Sequence, residues 1–229
     1  MRKILLFLLP NFLLLPTLFS QIEWSVGASV GLANYQGDLL KEDYALLQEA
    51  QLAYALHVQA HFSPAVSVRG GLLFTQLQGN DFKYPDRKDR GYRFTTGITE
   101  VGFIGEWEPF GWQATAIRPG IWGAVSPYLS LGAGFAFTNP NPDFPNASTE
   151  LNPRELQDVN AKYSKTKFIV PIGGGLKFPL ADGWTIKADV AFRYPFSDYL
   201  DGISISANPD ALDWYHVSTI SLNYKFRSW

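Results

Sequence analysis

Apolar and polar residues alternate in steps of two along most of this chain. Ile22, Trp24, Val26, Ala28, Val30 and Leu32 alternate with Glu23, Ser25, Gly27, Ser29 and Gly31. Leu52, Tyr54, Leu56, Val58, Ala60 and Phe62 do the same against Gln51, Ala53, Ala55, His57, Gln59 and His61. Such runs, about 11 residues each, predict half-apolar β-strands long enough to cross a bilayer when tilted. A third strand is expected from Ala65 to about Gln78 and a fourth from about Tyr92 to Trp107. The alternation of the fourth slips near Thr99, which predicts a bulge. Leu129 to Phe137, Phe168 to Phe178, Trp184 to Tyr194 and Ile220 to Phe226 repeat the pattern. The total of eight is even, as an up-and-down barrel requires.

The links between these strands alternate in length. Long polar links are expected at Asp38–Ala50, Gly79–Gly91, Asn139–Ser164 and Pro195–Asp213, with short ones at Ser63-Pro64 and Pro179–Gly183. Long loops outside and short turns on the periplasmic side are the habit of outer-membrane barrels. The fourth link, about Glu108 to Ser126, is longer than that habit expects. A soluble sandwich would also alternate, but its polar face would be the solvent surface, where nothing calls for many small residues. Here Glu23, His57, Gln59, His61, Arg69, Lys167, Lys177, Lys187, Asp189 and Arg193 are interleaved with Gly and Ala. That mixture suits the narrow interior of an eight-stranded barrel, where small residues make room for long charged ones. The fold class expected is therefore all-β, a transmembrane antiparallel barrel of about eight strands.

Composition narrows the function. The 229 residues contain no Cys, which excludes disulfide frameworks, cysteine-ligated zinc and thiol catalysis. A formal net charge of −2 gives no electrostatic reason to expect nucleic acid. Mean hydropathy of −0.06 is too low for a bundle of membrane helices, yet allows a barrel with a polar lumen. At the N-terminus Arg2 and Lys3 precede an apolar stretch from Ile4 to Leu15, and Ser20 precedes Gln21. This reads as a cleaved signal peptide over residues 1–20, with the barrel over 21–229 and the bacterial outer membrane as destination. Trp24, Trp107, Trp184 and Trp214 fall near expected strand ends, where an aromatic girdle belongs.

Several local patterns, taken in order, resemble one family. Tyr35-Gln36-Gly37-Asp38-Leu39 ends the first strand, Arg93 and Glu100 bracket the fourth, and Pro127-Tyr128-Leu129 with Gly132 and Gly134 opens the fifth. Pro171-Ile172-Gly173-Gly174-Gly175 lies in the sixth, and Asp198-Tyr199-Leu200-Asp201 follows Arg193. This set resembles the PorG-like outer-membrane barrels of Bacteroidetes, associated with the type IX secretion system, over nearly the whole chain after the signal. The Ser-Gln junction suits that phylum. The resemblance implies a non-enzymatic barrel that connects a periplasmic secretion ring to the outer membrane. Its motif residues at loop ends are Tyr35, Gly37, Asp38, Asp198, Tyr199 and Asp201. Outer-membrane lipid and periplasmic ring proteins are the partners it implies, with no cofactor and no small-molecule substrate.

Other chemistry is weighed on the residues. His57 and His61 invite a metal, but residues four apart on a strand lie roughly 13 Å from each other. Lumen hydrogen bonding suits them better. His216 with Ser218 on one strand face and Asp213 nearby is the best arrangement for a lipid-modifying enzyme, although no motif fixes a nucleophile. Asp38, Asp198 and Asp201 could bind calcium or cap turns. A surface adhesion or resistance barrel of the small OmpX-like kind is the main alternative function. For the interior, Arg69, Lys187 and Arg193 are expected to pair with carboxylates such as Glu23, Glu100 or Asp189, leaving no open channel. On the periplasmic side, Trp112, Ile117 and Trp122 of the long fourth link are the expected partner contacts.

Overall fold

The structure is a computed structural model, and it describes residues 22–37, 49–84, 91–111, 125–144, 151–180, 183–197, 199–206 and 213–226. Eight strands follow one another: β1 (Glu23–Gln36), β2 (Gln51–His61), β3 (Val66–Asn80), β4 (Arg93–Trp107), β5 (Ser126–Asp143), β6 (Thr166–Pro179), β7 (Trp184–Tyr194) and β8 (Trp214–Lys225). Each pairs antiparallel with the next, and β8 returns to β1, closing the barrel. A helix, α1 (Pro153–Asn160), lies in the link between β5 and β6.

The registers fix the barrel's shape. Stepping through paired residues from Trp24 to Ala60, Val68, Gly105, Leu131, Ile172, Phe192 and His216 returns to β1 at Asn34, ten residues further on. Ten residues at roughly 3.3 Å, set against eight inter-strand spacings of roughly 4.8 Å, tilt the strands by about 40°. That tilt lies in the range of outer-membrane barrels. The short turns at 62–65 and 180–183 lie at the end where β1 begins, which is the periplasmic end by the habit of such barrels. The strand ends joined by the links 37–50, 81–92, 144–165 and 195–213 lie at the other, outer end.

The apolar face is outside. Leu56, Phe103, Leu129, Leu131 and Ile220 are all at least 58% exposed, and the alternate positions of the same strands are buried or half-buried. Exposed hydrophobics in register all round a closed sheet are what lipid requires, because closure also satisfies every backbone group. Trp24, Trp107 and Trp184 stand at the periplasmic edge of this band. At the outer edge Trp214 stacks on Tyr194, ring centroids 6.1 Å apart.

Inside, the lumen changes character along its axis. Its periplasmic half is charged, whereas its outer half holds an apolar core that includes Tyr35, Leu77, Phe94, Ile98, Ile169, Tyr215 and Val217. This explains two of three departures from the sequence reading. The pairing of β3, β4 and β5 runs unbroken through Thr99, so the expected bulge is absent. The alternation slips there because the inward residues of β4 pass from Glu106 and Glu100 to Ile98 and Phe94. β8 begins at Trp214, six residues before its alternating run at Ile220, for the same reason, since Tyr215 and Val217 face inward and His216 outward.

The third departure is β5, which continues through Asn139 to Asp143, where a loop was expected. These residues pair with Gly97 to Arg93 of β4 beyond the lipid-facing band. Thr138 donates its backbone N–H to Lys165, and at the next two positions of the same phase, Pro140 and Pro142, the ring removes the donor. The projecting edge thus offers few donors to a stray strand. α1 was not expected from the pattern because its buried face is acidic: Glu155 and Asp158 are buried while Leu156 and Val159 are exposed.

Candidate functional site: a charged lumen open to one side

The lumen network is centred on Glu106, whose side chain is fully buried. Lys187 Nζ donates to both its oxygens at 3.2 and 3.0 Å. Lys177 Nζ lies 2.8 Å away and Arg69 Nε 3.4 Å. Gln59 donates to the same carboxylate at 2.8 Å and accepts from Lys187 at 2.5 Å. Arg69 also reaches Asp189, Nη2 to Oδ2 at 3.0 Å, and Asp189 accepts from the Tyr128 hydroxyl at 3.0 Å and from Thr219. Lys177 continues to Glu108 at 2.5 Å. Further out, Arg193 Nε donates to Glu100 at 3.1 and 3.2 Å, and the Tyr215 hydroxyl donates to Glu100 at 2.8 Å.

Glycine on the inward face makes this crowding possible. A Cβ on Gly27 would run into the His57 ring and the Asn223 amide, which bond to each other at 2.6 Å. Gly173 faces inward between β5 and β7, and a Cβ there would meet the backbone of Val190 and Ala191. A cavity of about 70 Å³ remains among Arg69, Asp189, Glu100 and Arg193, where the charged and apolar halves meet.

Six residues expected in the lumen network are placed as follows. Arg69 is paired with Asp189, and Arg193 with Glu100. Lys187 goes to Glu106, which the sequence reading did not single out, although it is in phase with Glu100 on β4. Glu23 does not join them: it sits at the periplasmic mouth, paired with Lys225 at 2.8 Å, with both side chains nearly half exposed. Gln59 was read as lumen-facing but given no partner, and Tyr128 and Tyr215 were not read into the network, because a tyrosine or glutamine at a strand position carries no mark of its inward partner. His57 and His61 find separate partners, Asn223 and Ser25.

The two ends differ. Among the described residues, the outer one is filled by the apolar core and by loop residues packed over it. The Tyr35 hydroxyl donates to Asp201 at 2.9 Å and to Asp213, and Leu200 N–H donates to Asp213 at 3.0 Å. A Cβ on Gly37 would collide with this Tyr35–Asp213 pair. Tyr199 stacks on Tyr163, centroids 4.8 Å apart. Asp158 of α1 accepts from the backbone N–H groups of Ser204, Ile205 and Ser206 at 3.3, 3.0 and 2.9 Å. The Tyr92 hydroxyl donates to Glu155 at 2.9 Å, and burial together with this carboxylate raises the Tyr92 phenol above its ordinary value. At the periplasmic mouth, by contrast, the described residues leave a basin of about 510 Å³ whose walls include Glu23, His61, Glu108, Lys177 and Lys225.

The arrangement expected for a lipid-modifying enzyme is not assembled. Asp213 faces the lumen and holds Tyr35, whereas His216 lies on the outward face, its ring 3.4 Å from the Asn34 amide and against Phe192 and Trp214. Asp38, Asp198, Trp112, Ile117, Trp122 and residues 1–20 lie outside the described residues. Of the three loop carboxylates weighed for calcium, Asp201 is the described one, and it accepts from Tyr35 and from Ile203 N–H.

Known structures share this fold. A major outer membrane protein from Thermus thermophilus is 14% identical over 90% of this chain and 100% of its own, with a TM-score of 0.51. Ail, the attachment invasion locus protein of Yersinia pestis, is 15% identical over 90% of this chain and 99% of its own, TM-score 0.45. Neisserial surface protein A is 12% identical over 89% and 97%, TM-score 0.46. At such identities the likeness is one of fold, that of bacterial outer-membrane barrels. No curated protein matches the chain. A family model described as "Domain of unknown function (DUF6089)" matches residues 2–228, so this outer-membrane barrel belongs to the DUF6089 family.

Proposed function

We propose that the chain is a non-enzymatic structural and interaction barrel of the outer membrane, linked to type IX protein secretion through contacts at its periplasmic end. The observation that carries this reading is an asymmetry of the lumen among the described residues: an apolar core packed with loop residues at the outer end, and a basin lined by charged side chains at the periplasmic end. A lumen filled with paired charges conducts nothing, and a lipid-facing wall needs only to be apolar, so recognition falls to the rims. The order of motifs along the chain, from Tyr35-Gln36-Gly37 to Tyr199-Leu200-Asp201, supports the type IX assignment by its resemblance to PorG-like barrels. Trp112, Ile117 and Trp122, on the link that leaves β4 beside this basin, are the partner contacts we assign.

The test is capture of periplasmic secretion-ring subunits by the purified barrel. Trp112→Ala with Ile117→Ala weakens capture while the barrel still migrates in a heat-modifiable way. Undiminished capture refutes the assignment of those residues, and no capture by the wild type refutes the secretion reading. A surface-adhesion role is the second reading. It is favoured by the outward apolar pair Leu156 and Val159 on α1, both about half exposed.

A further inference from the structure

The outward face of β3, β4 and β5 changes from apolar to polar across two neighbouring rungs. Leu72, Val101 and Phe135 face out together, all exposed, and the next rung is Phe74, Thr99 and Phe137. One rung further out come Gln76, Gly97 and Asn139, and beyond them the face is polar. This is the level at which the hydrocarbon of the outer leaflet gives way to headgroups.

A shallow open groove lies at this boundary. Phe74 and Phe137 border it on the apolar side and Gln76 and Asn139 on the polar side, with Lys165 at its β6 flank. Its floor is bare backbone, since a Cβ on Gly97 would meet nothing within 4 Å. Lys165 Nζ is exposed and donates to Asn139 Oδ1 at 3.0 Å, which holds the ammonium over the groove. Among the described residues no carboxylate pairs with it. Elsewhere on the barrel the lysines at 83, 177, 187 and 225 are each matched to a glutamate, and Lys167 donates to the Ser197 hydroxyl.

We propose that this groove seats the phosphate of an outer-leaflet glycolipid, with its acyl chains running down over Phe74, Phe137 and Phe168. The ammonium supplies the charge, and the side-chain amide of Gln76 supplies a neutral donor. The missing side chain at Gly97 supplies the room for the headgroup. The aromatic rung below selects a phosphate that carries a lipid over a free one. One lysine beside an anionic headgroup contributes about 1 kcal/mol, which is about a fivefold preference for the phosphorylated lipid.

The experiment embeds the full-length barrel in nanodiscs holding equal amounts of phosphorylated lipid A and its dephosphorylated form, and counts retained lipids by native mass spectrometry. The wild type retains the phosphorylated form about fivefold over the other. Lys165→Gln removes the charge and Gly97→Leu fills the groove, and both abolish the preference while heat-modifiable migration persists. Excess inorganic phosphate leaves the lipid in place. No preference in the wild type, a preference that survives either substitution, or displacement by inorganic phosphate alone overturns the proposal.

Discussion

Replacing Glu106 with Gln tests whether the lumen network holds the barrel together. The substitution keeps the shape of the side chain but removes the one carboxylate that Lys187, Lys177 and Arg69 share. Asp189 and Glu108 remain, each beside one of these cations, so Lys187 loses the most. Removing one partner of a buried pair costs about 3–5 kcal/mol, because the other charge stays buried. With a urea slope of roughly 2–3 kcal/mol/M, the denaturation midpoint falls by about 1–2.5 M. Lys225→Met is the control: its partner Glu23 is nearly half exposed, and such pairs contribute about 0–1 kcal/mol. Adding Lys187→Met to Glu106→Gln restores part of the loss, since the stranded cation is removed. The assay is urea titration of the refolded barrel, followed by heat-modifiable migration and tryptophan fluorescence. A loss below about 1 kcal/mol for Glu106→Gln, or no recovery in the double variant, refutes the view that these charges are buried and interdependent.

Gly173→Val forces a side chain into the backbone of β7 and destabilises by about 1–3 kcal/mol, whereas Gly97→Ala, which meets nothing, stays within about 0.5 kcal/mol in the same titration. Tyr35→Phe strips the hydroxyl from Asp201 and Asp213, costs about 1–3 kcal/mol, and speeds hydrogen exchange at Leu200 and Ile203, whose N–H groups those carboxylates hold. Burial raises the Glu49 carboxyl above its ordinary value even though Lys83 lies 2.9 Å away. A raised carboxyl favours folding below its unfolded-state pKa and loses that contribution as pH rises through the folded-state value. Glu49→Gln therefore gains on the wild type as pH is raised above the ordinary carboxylate range, which midpoints measured across pH will reveal.

All eight strands were legible because a lipid-facing wall imposes one rule on every alternate residue, and the runs from Trp24 to Leu32 and from Leu129 to Phe137 obey it strictly. Strand ends were legible only where the inward phase stayed polar. In β8 the inward Tyr215 and Val217 reverse the contrast with outward His216 and Ser218, so the strand's first six residues show no alternation. The outer end of β5 was hidden by Pro140 and Pro142, whose missing donors matter little on an edge. Candidate lumen charges could be named from phase alone, but not matched. Partnership depends on the ten-residue stagger, which brings Arg69 of β3 to Asp189 of β7 across the lumen and leaves Glu23 at the mouth.

The proposed function places recognition at the periplasmic rim of the barrel. In-cell photocrosslinking tests it most directly, with a photoreactive residue placed at position 225 beside the basin or at position 196 on the outer rim, where Phe196 is exposed. An adduct with a periplasmic secretion-ring subunit is expected from position 225 and none from position 196. Adducts from position 196 alone, or a bare barrel at position 225 in cells that are actively secreting, would contradict it.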